Sequence, residues 1–372
     1  MLNSLTIKNF TAFADAEFSF SPGLNVLIGA NGTGKTHILK LGYLFSRAWP
    51  DLTRSKLRLD KKRTDPYMEE RLAGLFRVSE LASLVRQGHK NGASLAADIG
   101  GSIPTLIITV PGEQIPLPSP NEPMAWEIHL THIKNHPAQV ESIRIPESAA
   151  TNAFVPKAIF VPSKEIVSLF KGLIGLFENY RQFPLDETYK DLAVALATLE
   201  PAAPSPLLPG VAQRIAALLG GELRLEDNNL IFLQDNGRKL ESQLLAEGYR
   251  KLAMLIYLVR NRVIEAGSTV FWDEPEANLN PAALRLLVEA LRQMVCQGVQ
   301  VILATHSLFL LREFEVLGRT KDLPKIPERY FALNTTKKGV EVSAGDDIVS
   351  IDPLVLLDED QAQSDRFMET LA

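Results

Sequence analysis

Nine residues near the amino end, Gly29-Ala30-Asn31-Gly32-Thr33-Gly34-Lys35-Thr36-His37, have the spacing of a phosphate cradle. Gly29, Gly32 and Gly34 remove side chains where backbone N–H groups must close around phosphate oxygens, and a helix N-terminus just beyond adds partial positive charge. In such a loop Lys35 reaches the β- and γ-phosphates of a nucleoside triphosphate, and the Thr36 hydroxyl sits on Mg²⁺. The string alone also fits a glycine-rich turn ahead of an ordinary helix. Its context separates the two, because a buried strand (Leu-Asn-Val-Leu-Ile) precedes it and a helix starts at Lys35. The expected ligands are ATP and Mg²⁺, with residues 29–37 around the nucleotide.

A second set lies far along the chain. Residues 269–272, Thr-Val-Phe-Trp, read as a buried strand, and Asp273 and Glu274 follow at its C-terminal end. Open parallel sheets bind ligands at that edge. There Asp273 would hold Mg²⁺, directly or through water, and Glu274 would polarise the attacking water. The bland alternative is a pair of solvated acids at a strand end. Asn280 can cap a helix with Pro281 at its first position. Leu284, Leu287, Val288, Leu291 and Val295 form the buried stripe of that helix, and Gly298 can end it. Another buried strand then ends in Thr305-His306-Ser307. Glu274 and His306 are 32 residues apart, enough for one helix and one strand, so a right-handed β-α-β unit brings both to one sheet edge. His306 is thereby a candidate γ-phosphate sensor, and Lys35, Glu274 and His306 form the candidate catalytic set. Upstream, Gly248 opens a helix with Leu252, Leu255, Ile256 and Val259 in its stripe, and a helix opened by glycine is a further anion site.

The elements that must position these groups are legible in outline. Two alternating strands and a buried third precede the glycine loop, and a helix from Lys35 to about Ala48 follows it. From about Pro50 the character changes. Residues 54–63 hold six basic residues and one acid, and short β-like runs broken by Gly and Pro come after. Residues 49–149 read as an insertion, 166–217 as a helical arm with a Pro-rich connector, and 1–48, 150–165 and 218–372 as the core. A hairpin over 221–240 turns near Asn228-Asn229. No internal repeat and no long heptad run is present.

Composition bounds the class. The chain has 372 residues, 46% hydrophobic, with a formal net charge of -5. That allows a sizeable core and gives no global case for nucleic-acid binding. Cys296 is the lone cysteine, which rules out an intrachain disulfide, and it reads as a small buried hydrophobe on a helix. The start has no signal-peptide pattern. The longest apolar run, residues 252–259, is far short of the ~20 residues a bilayer requires. A soluble cytoplasmic protein without membrane contact is expected.

Together these motifs resemble ABC-type ATPases of the SMC/RecF/OLD-like branch. The resemblance covers residues 1–48 and roughly 220–350. It rests on the opening strands with the glycine loop, on Asp-Glu-Pro-Glu-Ala-Asn-Leu-Asn-Pro (273–281) as Walker B plus D-loop, and on Ala-Thr-His-Ser (304–307) as the switch histidine. It implies an α/β P-loop fold with a mixed or parallel core sheet, flanking helices and an N-terminal antiparallel β lobe. It also implies a head-to-tail homodimer or higher homo-oligomer. Each nucleotide would lie between the glycine loop of one subunit and the signature helix of the other, with Glu247, Gly248 and Tyr249 acting in trans and Asn278 and Asn280 near the seam.

Two departures stand out. Ala246 replaces the signature serine, and no Q-loop glutamine is evident, which leaves Ser163 or Lys164 in its place. Only 66 residues follow His306, too few for the Toprim nuclease of the OLD family plus closing strands. The acids at 346–347 and 358–360 read as loop and tail charges. The resemblance implies an ATP-driven switch that regulates a separate effector, a nuclease or toxin, in bacterial anti-phage defence. The alternatives are a RecF-like DNA-repair ATPase, with Arg54–Arg63 on nucleic acid, and a transporter subunit. Three weaker signals remain. His129, His132 and His136 have metal-like spacing but fall on opposite faces of a strand. Phe10 and Phe13 suit adenine stacking or core packing, and Trp272 reads as core.

Overall fold

The computed structural model describes residues 1–54, 61–88, 92–100, 104–109, 126–131, 157–180, 183–198, 201, 205, 207–351 and 355–370. Residues 55–60 of the basic run, His132 and His136 lie outside them. The chain divides into two compact units. One comprises residues 1–20, 31–158 and 333–342, and the other 21–30, 159–332 and 343–372.

The chain opens with β1 (Leu2–Phe10), β2 (Phe13–Ser19) and β3 (Leu24–Gly29), of which the first two belong to the first unit. That unit adds α1 (Lys35–Arg54), α2 (Lys61–Phe76), β4 (Ala93–Ile99), β5 (Pro104–Thr109) and β6 (Trp126–Thr131). Its sheet runs β2-β1-β4-β5-β6. Leu2, Leu5, Ile7 and Phe10 give β1 one buried face, and Ala93, Leu95, Ala97 and Ile99 do the same for β4. The two strands pair antiparallel, with Leu5 opposite Ala97. Part of 49–149 therefore lies in the same sheet as β1 and β2. Helix α1 continues past Pro50 to Arg54, beyond the expected end near Ala48. Its stripe, including Leu41, Leu44 and Phe45, is already buried by then, so one lost hydrogen bond does not stop it.

The second unit contains β7 (Ala158–Val161), α3 (Phe170–Asn179), α4 (Glu187–Leu196), α5 (Pro209–Leu219), β8 (Gly221–Glu226), β9 (Asn229–Gln234), β10 (Lys239–Glu241) and α6 (Glu247–Arg260). It continues with β11 (Thr269–Asp273), α7 (Pro281–Cys296), β12 (Gln300–Thr305), α8 (Leu308–Arg319), β13 (Glu328–Thr336), β14 (Gly339–Gly345) and α9 (Val355–Glu369), with residues 333–342 counted in the first unit. A six-stranded sheet has the order β14-β13-β3-β12-β11-β7, and β3, β12 and β11 are parallel. Every residue of these three strands is buried, as expected for strands covered on both faces. Strands β8, β9 and β10 form a separate antiparallel sheet.

Helix α7 is the crossover from β11 to β12. The Asn280 side chain accepts from Ala283 N–H at 2.9 Å, Pro281 occupies the first turn, and Leu284, Leu287, Val288 and Leu291 are buried. Cys296, read as buried, is exposed. It stands one position past the stripe that ends at Val295, and so turns to the other side of the helix. The β8–β9 turn also differs, because its central residues are Asp227 and Asn228, with φ of 48° and 57°. Short polar residues that tolerate left-handed φ suit such a two-residue turn.

Candidate functional site

The register of the parallel strands defines one rim of the second unit. Asp273 pairs across from Ala304, and Thr305 from Ile28. The ends of β11, β12 and β3 are therefore level, and this edge carries Asp273, Glu274, His306 and the first loop residues, Gly29 and Ala30. Asp273 is buried, as is Thr305. Glu274 leaves the strand with φ 47° while its N–H still donates to Ala304 C=O at 2.9 Å. A left-handed φ at a non-glycine residue costs about 1–2 kcal/mol, which the surrounding sheet must enforce. The turn brings the Glu274 carboxylate to His306, with Oε1 3.2 Å from Nδ1.

A third acid, Glu276, completes the cluster without having drawn notice in the sequence. Its Oε1 accepts from Thr305 Oγ1 at 2.7 Å and from the His306 N–H at 3.3 Å, and lies 3.7 Å from His306 Nδ1. Its one sequence signal is its place two residues after Glu274. Ser307 caps α8 by accepting from Leu310 N–H, and its own N–H donates to Thr305 Oγ1. His306 thus lies between a strand end and a capped helix, held from both sides.

Gly248 is buried in the first turn of α6, against the Asn278 carbonyl of its own chain, where a Cβ would collide with that oxygen. Asn278 itself has φ 64°. The absence of a side chain at Gly248 is therefore required by internal packing. Glu247 and Tyr249 flank it and are half-buried, and Ala246 is exposed. Two residues beyond Gly248, Arg250 Nε donates to Glu165 Oε2 at 2.7 Å, and Glu165 also accepts from Ser168 N–H and Oγ. Of Ser163, Lys164 and Glu165, which follow β7, Glu165 is buried, whereas Ser163 is half-buried and Lys164 exposed.

The remainder of the glycine loop, Asn31–His37, belongs to the first unit. Gly32 and Gly34 have φ of 83° and 88°, and a Cβ on Gly34 would meet the Phe13 ring at 2.7 Å. Thr33 and Lys35 are tucked in, Asn31 and Gly32 are exposed, and Thr36 is half-buried at the start of α1. A bare backbone running into a helix N-terminus fits a polyphosphate. His37 Nδ1 lies 3.0 Å from Thr11 Oγ1, and its ring meets Phe10 and Phe76 edge-on. Burial, and then the Lys40 ammonium, push its pKa down to about 4, so the ring is neutral at pH 7. Phe10 and Phe13 are themselves fully buried core residues.

Other sequence signals do not gather into sites. His129 lies on β6, and the other two histidines of its motif lie outside the described residues. Asp346 pairs with Arg329 and Asp360 with Arg312. Among the described residues, no group of three His, Cys, Asp or Glu could hold a metal ion.

Two family models match the chain. One, described as "AAA ATPase domain", covers residues 1–77, and the other, "AAA domain, putative AbiEii toxin, Type IV TA system", covers 141–312. The DNA replication and repair protein RecF of Salinibacter ruber is 31% identical over 132 residues, 33% of this chain and 32% of the relative. These matches, each to part of the chain, support an ABC-type ATPase of the RecF branch. RecF of Streptococcus gordonii is 44% identical over 54 residues, 14% of this chain and 15% of the relative. The chain thus matches about a third or less of the length of these curated relatives. Among solved structures, an Smc head domain with an extended coiled coil, from Pyrococcus furiosus, is similar with a TM-score of 0.48 and 12% identity, covering 100% of this chain and 99% of that one.

Proposed function

We propose that this ATPase is a Mg²⁺-dependent switch that closes as a head-to-tail dimer on ATP and opens on hydrolysis. The observation that supports it most is the Glu274–His306 contact at 3.2 Å, on the rim where β3 runs out into the glycine loop. In this reading the backbone of residues 29–37 wraps the phosphates, Lys35 binds the β- and γ-oxygens, and Thr36 and Asp273 hold Mg²⁺. The ion would neutralise charge on the phosphate oxygens. Glu274 takes a proton from the attacking water, and His306 orients Glu274 and senses the γ-phosphate. Glu247, Gly248 and Tyr249, with Asn278 and Asn280, would face the second subunit. The test is Glu274→Gln. Turnover should fall about 10²- to 10⁴-fold, the usual cost of losing a general base, and light scattering should show a dimer that persists with ATP. A variant that stays monomeric with Mg²⁺–ATP overturns the switch.

The output is a separate effector, a nuclease or toxin acting in bacterial anti-phage defence. The family description naming a toxin system supports this assignment. A second reading, a DNA-repair ATPase, is favoured by the RecF relatives and by the basic run Arg54–Arg63. Among the described residues no helix is long and apolar enough to cross a membrane.

A further inference from the structure

Lys251 lies one turn into α6 and is 1% exposed, and its Nζ has no hydrogen-bond partner among the described residues. An isolated buried ammonium is expensive, so a compensating charge is needed. The helix fixes where Lys251 points. Gly248, three residues earlier and therefore on the same face, packs on the Asn278 carbonyl, which turns that face onto the loop 274–279. The same loop carries Glu276, whose side chain is 9% exposed. Glu276 Oε1 is occupied by Thr305 and the His306 N–H, but Oε2 is buried with no partner among the described residues. Two opposite charges, each with an unsatisfied buried atom, thus lie on the two elements that meet at the Gly248–Asn278 contact. The carboxylates whose fields reach Lys251 are, in decreasing order, Glu247, Glu276, Glu274 and Glu165, all opposing the lowering of its pKa by burial.

We propose that Lys251 is a positioning residue, an internal counter-ion that holds the Glu276 carboxylate in place and through it keeps Thr305 and His306 in register with Glu274. Without that charge, several carboxylates would share one poorly solvated pocket. The cheapest relief would be for Glu276 to swing away. That change loosens the hydroxyl and the N–H that it holds. Lys251 itself touches no reacting atom. Only the kinetic part of the proposal rests on the ATPase reading given above.

The experiment is a double-mutant cycle on the full chain with Lys251→Met, Glu276→Gln and both together, read by thermal unfolding and by ATP turnover. Lys251→Met should lower the melting temperature by several degrees. It should lower kcat about tenfold while KM for ATP stays within about twofold, and Lys251→Arg should recover part of the loss. The double variant should be more stable than Lys251→Met alone, because it removes both charges at once. A rise in melting temperature for Lys251→Met overturns the proposal, since an uncompensated lysine is relieved by an apolar chain of similar length. Additive effects, or a double variant no better than the worse single one, overturn it too. Should Lys251→Met fail to fold, a folded double variant still supports the pairing and an unfolded one refutes it. If the unmodified protein shows no turnover, the ATPase reading fails, and the unfolding cycle still decides the counter-ion.

Discussion

Gly34 carries two constraints at once, and they have different consequences. Its φ of 88° strains any residue with a Cβ, and that Cβ would also press on the buried Phe13 ring at 2.7 Å. Gly32 has the first constraint alone, with open space around the position of a Cβ. The backbone term is about 1–2 kcal/mol per residue, and about 1.4 kcal/mol is a factor of ten in binding. Gly34→Ala should therefore weaken Mg²⁺–ATP binding by more than tenfold, and by more than Gly32→Ala does, as read by titration calorimetry. Equal affinities for the two variants would show that Phe13 yields freely and does not shape the loop.

At the level of elements, α7 joins the two strands whose ends carry the acids and the histidine, and its first turn is tied down by the Asn280 side chain. Asn280→Ala should cost about 1 kcal/mol of stability, measured by chemical denaturation, because one orphan N–H loses its acceptor. Asn280→Asp, which keeps an acceptor oxygen, should cost little. This helix was legible before any coordinates because cap, proline and stripe fall within one continuous stretch. The three parallel strands were legible for a similar reason, since burial on both faces leaves unbroken apolar runs such as Val301–Ala304. Other features were not legible. The pairing of β4 with β1 joins strands more than eighty residues apart, and no local period encodes it. The place of Glu276 depends on a hydroxyl donated from the neighbouring strand, and the requirement at Gly248 depends on a carbonyl thirty residues away. Cys296 was misread because a helical stripe is counted in steps of three and four, and a slip of one position exchanges inside for outside.

For the molecule as a whole, charge is the property that separates the two proposed outputs. A chain with a formal charge of -5 repels a polyanion at long range, so any hold on DNA must come from a local patch. If the DNA reading holds, replacing Arg54, Lys56, Arg58, Lys61, Lys62 and Arg63 by glutamine should abolish the salt-sensitive retention of duplex DNA and leave ATP binding intact. Retention that survives all six changes would count against this stretch as the contact.

The fit between Gly248 and Asn278 has a mechanical consequence. It joins one main chain directly to another, and main-chain atoms have no rotamers with which to absorb a displacement. In the proposed switch, a shift of the acids at the sheet edge as bonds at the phosphate are made or broken would carry the foot of α6 with it, without slack. A subunit resting on that helix end would feel the chemistry as a push of backbone against backbone, and a single methyl group inserted at the joint would hold the two permanently apart.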